Sequence, residues 1–282
     1  MNNKTVFTYF AAAVALAQQP ADPLATRQIW DTSFLEKRPP GAGKAAAVKP
    51  LPKIGAVKGA LVGVTLWNMR PSKAEDTREI RALIHEEDGS DVELTPERLP
   101  SDSPLKERQK IRISVESGEA GYLYIIDRDF YADGTKSDAY LIFPTKKLRN
   151  GDAFVRPGLV VEIPEPGNKT PYFKIERSRQ DQVNETLTIL VSPKPIPELH
   201  IADKRQKLTN AQVAEWEKKW QAKTLKLESK GQEGKPYTVT EKQAASGGKP
   251  LTSADPVPQT MYQVENKPGE PVLLHVPLRI VK

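Results

Sequence analysis

Seven short apolar segments between residues 61 and 192 constrain the fold of this chain more than any other feature. Each is rich in β-branched or aromatic residues, and turn residues separate one from the next. In residues 110–117, Ile111, Ile113 and Val115 alternate with polar residues, which places the apolar set on one face of a strand. Many short strands with little helix between them predict an antiparallel sandwich or barrel. We therefore expect a mainly β protein, built on an antiparallel β-sandwich-like domain over residues 60–200. The seven segments are residues 61–67, 110–117, 121–127, 139–143, 159–164, 172–176 and 185–192.

The pattern is interrupted between residues 68 and 109, where the chain is highly charged. We expect one more strand and loops there. After residue 200 the pattern changes to helical spacing, because a capping box at residues 209–212 precedes a stripe formed by Val213, Trp216 and Trp220. A second short helix and a final strand follow. Residues 201–282 are therefore expected to form a short helical C-terminal extension and a closing strand that packs on the main domain.

The N-terminus resembles a secretory signal peptide over residues 1–17. A polar start with one lysine precedes thirteen uncharged residues, and these end in the small-residue pattern Ala15-Leu16-Ala17. The run is shorter than the roughly 20 apolar residues of a membrane span, so a retained helical anchor is the weaker alternative. We expect cleavage after Ala17, export to the periplasm or cell surface, and no transmembrane segment after cleavage. The sequence contains no cysteine, which excludes disulfides, thiolate metal sites and a lipidated cysteine.

Residues 18–59 form an N-terminal segment and a linker rich in Pro, Ala and Lys. Trp30 lies in an apolar cluster that precedes the linker. Two interpretations of this cluster are open: a docking segment for a partner, or a short element that folds back on the main domain. The second is favoured.

The net charge of +6 does not indicate a nucleic-acid partner. Residues 36–60 hold six basic residues against one acidic residue, whereas residues 61–199 hold twenty against twenty-four. The predicted β domain is therefore mildly acidic, and no aromatic-basic recognition motif is present. The basic linker is interpreted as an extended spacer, with weak attraction to anionic polymers or lipid surfaces as the alternative.

Three aspartates near a glycine form the only candidate metal site. Asp127, Asp129 and Asp133 precede Gly134, and carboxylates near a glycine are typical of Ca²⁺ loops. Their spacing does not match the EF-hand pattern. We therefore favour a hairpin turn at Asp133-Gly134 over a Ca²⁺ site, and we expect no metal and no cofactor.

Candidate binding residues are aromatic. Tyr122 and Tyr124 share one face of a strand and could line a groove, or form an ordinary polar-tipped side of the sheet. Trp30 is the third candidate. The stripe of Trp216 and Trp220 is interpreted as core rather than as a sugar-stacking platform.

Catalytic motifs are not found in the sequence. His85, His200 and His275 are scattered without metal-ligand spacing, and no nucleophile elbow, phosphate loop or dinucleotide fingerprint occurs. We expect no enzymatic activity. A hydrolase whose serine, histidine and acid meet only in space is the alternative, because such triads are defined by geometry.

Several of these segments, taken in order, resemble the bacterial domain-of-unknown-function family 4384. The resemblance covers about residues 61–200 and rests on LVGVTLWNMRPS, a strand containing GYLY, LIFPT, RNGDAFVRPG, VEIP and ETLTILVSPKPI. It implies a β-rich accessory module that is often exported and that occurs beside caspase-like, kinase or wall-associated modules. The family has no recognised active site to carry over.

These observations together predict a non-catalytic exported module for binding or scaffolding in the bacterial cell envelope. The expected partner is another envelope protein, bound through sheet edges or exposed loops. A module that binds cell-wall glycan or a surface polymer is the first alternative, and the hydrolase is the second.

Overall fold

The computed structural model describes residues 29–41, 59–86, 89–165 and 170–281. The predicted signal peptide, residues 1–17, lies outside the described residues, as do residues 18–28 and 42–58 of the N-terminal segment and linker. The expectations of cleavage and export therefore stay predictions. None of the helices in the described part of the chain is long and apolar enough to cross a membrane.

The described residues contain fifteen strands and two α-helices. The strands are β1 (Ala60–Pro71), β2 (Ala82–His85), β3 (Asp91–Leu99), β4 (Leu105–Lys106), β5 (Lys110–Ser117), β6 (Gly121–Tyr131), β7 (Ala139–Phe143), β8 (Phe154–Val155), β9 (Val160–Ile163), β10 (Phe173–Lys174), β11 (Gln182–Ser192), β12 (Gln206–Leu208), β13 (Thr224–Glu228), β14 (Thr260–Val264) and β15 (Val272–Val281). The helices are α1 (Asn210–Trp220) and α2 (Val239–Ala245). A single π-helical turn (Ile29–Phe34) and three 3₁₀ turns (Leu35–Lys37, Arg78–Ile80 and Arg149–Gly151) complete the elements.

The strands form two sheets. The first sheet has the order β10-β5-β1-β14-β13, with β3 on β1, β2 on β3 and β9 on β5. The second has the order β12-β7-β6-β11-β15-β4, with β8 on β6. Within the described residues every strand pair is antiparallel except β15 with β4. The mainly β, sandwich-like architecture predicted from the sequence is therefore confirmed, and strands from both sides of residue 200 share each sheet.

The main core lies between the two sheets. Ile111, Ile113 and Val115 of β5 are buried there, and Leu187 and Ile189 of β11 face them from the second sheet. Burying an aliphatic side chain of this size contributes about 1.5–3 kcal/mol. The apolar half of each alternating pattern therefore forms the inside of the sandwich, as predicted.

All seven predicted segments form strands, but the interruption holds more structure than predicted. Instead of one strand it contains β2, β3 and β4. β3 was hidden in the sequence because its apolar positions are separated by charged residues and by Pro96. Pro96 is tolerated because its backbone groups point away from β1: its carbonyl accepts from the Tyr237 N–H at 2.9 Å, and the pairing with β1 needs no N–H at this position.

Helix α1 covers the outer face of the second sheet. The Thr209 hydroxyl accepts a hydrogen bond from the Gln212 backbone N–H at 3.1 Å and so caps the helix, which is one of the two bonds of the predicted capping box. Val213 and Trp216 are buried against the sheet, and Trp220 stacks on Trp216 with ring centroids 6.0 Å apart. The tryptophan stripe is therefore part of a second, smaller core.

The outer face of the first sheet is covered from both ends of the chain. Residues 29–41, here called the strap, lie on one part of it, and residues 229–259, including α2, lie on another. The polar side of β5 is therefore inside the protein: Arg112, Ser114 and Glu116 are all at most 7% exposed. The alternation predicted only the apolar face of β5, and this buried polar face was not foreseen.

Candidate functional site

The buried polar face of the first sheet carries three arginine–glutamate pairs, here called the ionic layer. Two of its members sit on neighbouring strands, since Arg112 of β5 and Glu162 of β9 lie 3.1 Å apart. Arg112 also donates to the Pro171 carbonyl at 2.9 Å. Burial raises the pKa of the Glu162 carboxyl, and the Arg112 guanidinium opposes that rise.

The second pair joins the strap to the sheet. Arg38 donates two hydrogen bonds to the Glu116 carboxylate, at 2.7 and 2.6 Å. Both side chains are at most 4% exposed. The Glu116 carboxylate also accepts from the Gly158 N–H at 3.1 Å. The two parallel bonds make this a bidentate pair, a geometry that gives shorter and more specific hydrogen bonds than a single contact.

The third pair joins α2 to the sheet. Arg98 of β3 binds the Glu241 carboxylate and donates to the Val257 carbonyl at 2.9 Å. Its guanidinium also lies over the Trp67 ring, 4.9 Å from the centroid. Glu241 belongs to the capping box of α2 with Thr238. Burial raises the pKa of Glu241 and lowers that of Arg98.

A small cavity lies beside the ionic layer. It is lined by Trp67, Ser114, Glu116, Tyr237 and other residues, and its volume is about 10 Å³. A space of that size holds about one water molecule. The Ser114 hydroxyl is already bonded to the Trp67 indole N–H at 2.9 Å. The arrangement therefore ties segments together and leaves no room for a substrate.

The three aspartates of the candidate Ca²⁺ site take different environments. Asp133 lies in the predicted Asp-Gly turn, where it accepts from the Thr135 N–H at 2.8 Å and pairs with Arg179 at 3.0 Å. Asp129 accepts from Ser178 at 2.6 Å. Asp127 lies two residues earlier on the same face of β6. Among the residues that the structure describes, no group of three or more acidic or histidine side chains is placed to hold a metal ion.

Asp127 instead forms a carboxyl pair that the sequence did not indicate. Glu185 of β11 pairs in register with Asp129, and its side chain interacts with that of Asp127. Burial raises the pKa of the Asp127 carboxyl to about 6, although its hydrogen bond with Glu185 opposes this rise. Burial and Asp127 also raise the pKa of Glu185 well above its usual value. Two carboxyl groups this close cannot both ionise without cost, so they act as one proton-sharing pair.

The three candidate aromatic residues differ in how far their side chains are buried. Tyr124 is 3% exposed, and its hydroxyl accepts a hydrogen bond from the Ile196 N–H at 3.1 Å. Trp30 is buried in the strap, with its ring against Phe34 at 5.9 Å. Tyr122 alone is partly exposed. For Trp30 the structure shows the element folding back on the main domain, which was the favoured interpretation.

Tyr122 belongs to an exposed surface with two residues that the sequence did not single out. Phe154 of β8 lies beside it, with ring centroids 5.8 Å apart, and is 40% exposed. Arg149 donates to the Phe154 carbonyl at 3.1 Å. Arg149 and the next residue, Asn150, both have positive φ, at 49° and 53°. Such backbone is uncommon outside glycine and concentrates at functional sites. In the sequence, the run Arg149-Asn150-Gly151 was the feature from which this backbone conformation could have been predicted.

The three histidines lie on different parts of the fold and have different partners. His85 pairs with Asp91 on the exposed β2–β3 hairpin. The backbone N–H of His200, not its ring, bonds to Gln206. His275 lies on β15, where its ring is 3.1 Å from the Thr188 hydroxyl, and burial lowers its pKa. None of the three lines the cavity beside the ionic layer.

The longest edge strand of the first sheet is β13. In the part of the chain that the structure describes, it pairs only with β14. The Lys223 carbonyl accepts from Glu265, and the Ser229 N–H donates to Gln259, so the odd-numbered residues bond inwards. Bonding alternates along an antiparallel strand. The N–H and C=O groups of Thr224, Lys226 and Glu228 therefore point away from the sheet.

Comparison with known proteins finds no family model, no curated protein and no solved structure that matches this chain. The family resemblance described above therefore stays a prediction.

Proposed function

We propose that this protein is a non-catalytic binding module of the bacterial cell envelope, which accepts an extended segment of another envelope protein at the edge of β13. The observation that carries the proposal is the row of outward-pointing backbone groups on β13, because a partner strand can satisfy them by extending the sheet. Export rests on the signal-peptide pattern of residues 1–17. The absence of a catalytic role is supported by the small cavity and by the dispersed histidines.

The side chains around β13 favour a segment with alternating character. On the outer face, Leu225 and Leu227 lie beside the apolar residue Ile29 of the strap. On the inner face, Lys226 pairs with Asp102 at 2.9 Å and with Glu228 at 3.0 Å. A partner strand would meet apolar side chains on one face and charges on the other. The charged face also discourages indiscriminate edge pairing.

The test is site-specific photocrosslinking in the native envelope, with the crosslinker at Thr224. We expect one defined protein partner. The variant Lys226→Pro removes an outward-pointing N–H and should abolish the crosslink while keeping the melting temperature within a few degrees. A crosslinker at Val183, which is 43% exposed on β11, serves as the matched control. Recovery of free monomer alone, or an unchanged crosslink in Lys226→Pro, would contradict the proposal.

A second candidate is a module that binds a cell-wall glycan or surface polymer, and the exposed Tyr122–Phe154 pair favours it. Aromatic rings beside polar groups such as those of Arg149 and Asn150 suit a sugar ring, which offers both apolar faces and hydroxyls. This candidate predicts retention on isolated wall material that is lost in Phe154→Ala. Leu83→Ala is the control, since Leu83 is 59% exposed elsewhere. Equal retention of both variants would exclude the aromatic surface as the binding site.

A further inference from the structure

Two segments that are far apart in the sequence meet at the second sheet, one around β8 and the other leading into β12. The Lys146 N–H of the first segment donates to the Ala202 carbonyl of the second at 2.8 Å. Gly151 lies so close to Ile201 that a Cβ atom at position 151 would be 2.9 Å from Ile201 Cγ2. The two segments therefore form one continuous part of the protein, here called the basic surface. They are residues 146–156 and 201–207.

The basic surface differs in charge from the domain to which it belongs. It holds seven lysines and arginines against two aspartates, which gives a net charge of +5. Residues 61–199, which include the first of the two segments, hold twenty basic and twenty-four acidic residues. Cations gathered in one place on an acidic domain create a local positive potential. An anionic ligand would be attracted to this surface in preference to the rest of the domain.

Most cations of the basic surface have no counter-ion within the protein. Arg149 pairs with Asp152 at 3.3 Å, and Lys207 pairs with Asp138 at 2.6 Å. Four others are exposed and form no ion pair with any residue that the structure describes: Lys146, Lys147, Arg156 and Lys204. Like charges repel one another when they are left unpaired. Binding of an anion would therefore relieve repulsion as well as form new contacts.

An exposed aromatic pair lies within the same surface. Phe154 is 40% exposed, and its ring centroid is 5.8 Å from that of Tyr122. The Arg149 guanidinium donates to the Phe154 carbonyl at 3.1 Å, which places a cation beside the pair. A sugar ring offers an apolar face that packs on an aromatic ring and hydroxyls that bond to polar groups. A ligand that combines sugar rings with negative charges matches both features.

The exposed Asp152 carboxylate favours a glycan over a lipid surface. It accepts from the Phe154 N–H at 2.8 Å, and its side chain is 58% exposed. Insertion of the Phe154 ring into a membrane would remove this carboxylate from water, which is costly for a charged group. Sugar hydroxyls can instead donate hydrogen bonds to it.

We propose that the basic surface binds an anionic glycan, a polymer whose sugar rings carry carboxylate or phosphate groups. Phe154 and Tyr122 contact a ring, and the unpaired lysines contact the anionic groups of neighbouring units. The inference rests on the second candidate function given above and specifies its ligand class. It is independent of the β13 edge.

The test compares two full-length variants of equal net charge. The charge variant removes three unpaired lysines of the basic surface: Lys146→Gln, Lys147→Gln and Lys204→Gln. The control variant removes three exposed lysines of the segment that covers the first sheet: Lys230→Gln, Lys235→Gln and Lys249→Gln. Because all six side chains are exposed, both variants are expected to keep the melting temperature of the wild type within a few degrees.

The probes are polygalacturonate and phosphomannan, with methyl-esterified polygalacturonate and unphosphorylated mannan as their neutral counterparts. Affinity is measured by calorimetry at low salt. We expect the wild type and the control variant to bind at least one charged polymer, and the charge variant to bind it about tenfold more weakly. Weakening for polygalacturonate alone identifies the carboxylate as the recognised group, and weakening for phosphomannan alone identifies the phosphate.

An affinity of the charge variant equal to that of the wild type would overturn the proposal. So would a wild type that binds neither charged polymer, or that binds the neutral counterparts equally well. Tighter binding to phosphatidylglycerol vesicles or to single-stranded DNA than to either polymer would also overturn it. If the charge variant does not fold, the wild type alone decides, because its affinity for the charged polymer must fall severalfold between 50 and 300 mM salt.

The variant Phe154→Ala separates failure of this inference from failure of the candidate function. Loss of wall retention in Phe154→Ala, with wild-type binding in the charge variant, would keep the glycan function and reject only the anionic ligand class. Wall retention of Phe154→Ala equal to that of the wild type would reject the glycan function itself.

Discussion

The Asp127–Glu185 carboxyl pair makes a specific prediction about pH. The folded state binds a proton on Asp127 more tightly than the unfolded chain does, because burial raises the pKa from 3.8 to about 6. The contribution of Asp127 to the unfolding free energy is therefore expected to be fully present below pH 4 and to be lost as the pH rises through 6. Glu185, whose pKa is raised well above 4.5, extends the fall to higher pH. Asp129 adds to the rise at Asp127, and Arg205 opposes it.

The size of the change in unfolding free energy follows from the rise in the pKa of Asp127. One pKa unit corresponds to 1.36 kcal/mol, so a rise of about two units at Asp127 corresponds to a loss of about 3 kcal/mol once the group is ionised. The variant Asp127→Asn keeps the shape of the side chain and removes the titration. It is expected to match the wild type at pH 4 and to be more stable than the wild type by up to about 3 kcal/mol at pH 8.

Urea unfolding of both proteins between pH 4 and 8 measures the difference. Asp133→Asn is the matched control, because a hydrogen bond from Thr135 lowers the pKa of that exposed carboxyl to about 2. The ionised Asp133 carboxyl therefore stabilises the folded state at pH values above the usual pKa of an aspartate. The variant Asp133→Asn is not expected to raise the unfolding free energy at pH 8. An Asp127→Asn curve that runs parallel to the wild-type curve between pH 4 and 8 would refute the reasoning.

Three further predictions concern packing. Tyr124→Phe leaves the buried Ile196 N–H without its acceptor and should cost about 1 kcal/mol, seen as a lower urea midpoint; an unchanged midpoint would contradict the role of this bond. Trp216→Ala should cost about 3–5 kcal/mol and lower the melting temperature, since the ring fills the core beneath α1. Gly63→Ala brings a methyl group against Pro258 and should cost about 1–3 kcal/mol; a neutral result would show that the loop moves freely.

The alternating strands could be predicted because burial between the sheets imposes a period of two on the sequence. Ile111, Ile113 and Val115 show this, and all three lie in the core. The polar positions of the alternating pattern were less informative about the fold. A polar residue opposite an apolar one usually faces water, yet Arg112 and Glu116 are buried, because chain segments far away in sequence cover them. The sequence pattern of a single strand does not show that distant segments will pack on its polar face.

The candidate site could be predicted only in part, for a related reason. The sequence placed Tyr122 and Tyr124 on one face of a strand, and the structure agrees. It could not show that the loop before Ile196 closes over one ring and leaves the other open. The pairing of Asp127 with Glu185 depends on the register of two strands that are more than fifty residues apart, so spacing within either strand carries no sign of it.

The ionic layer is better explained by specificity than by stability. Removing water from an ion pair costs several kcal/mol per charge, so three buried pairs contribute less to the net unfolding free energy than apolar side chains of similar volume would. Leaving one member unpaired costs about 3–5 kcal/mol. Arg38 of the strap pairs with Glu116 of the sheet, and Glu241 of α2 pairs with Arg98 of the sheet. An apolar strap could slide along the sheet, whereas a misplaced Arg38 would leave Glu116 buried and unpaired. The layer therefore fixes where the two covering segments dock on the sheet.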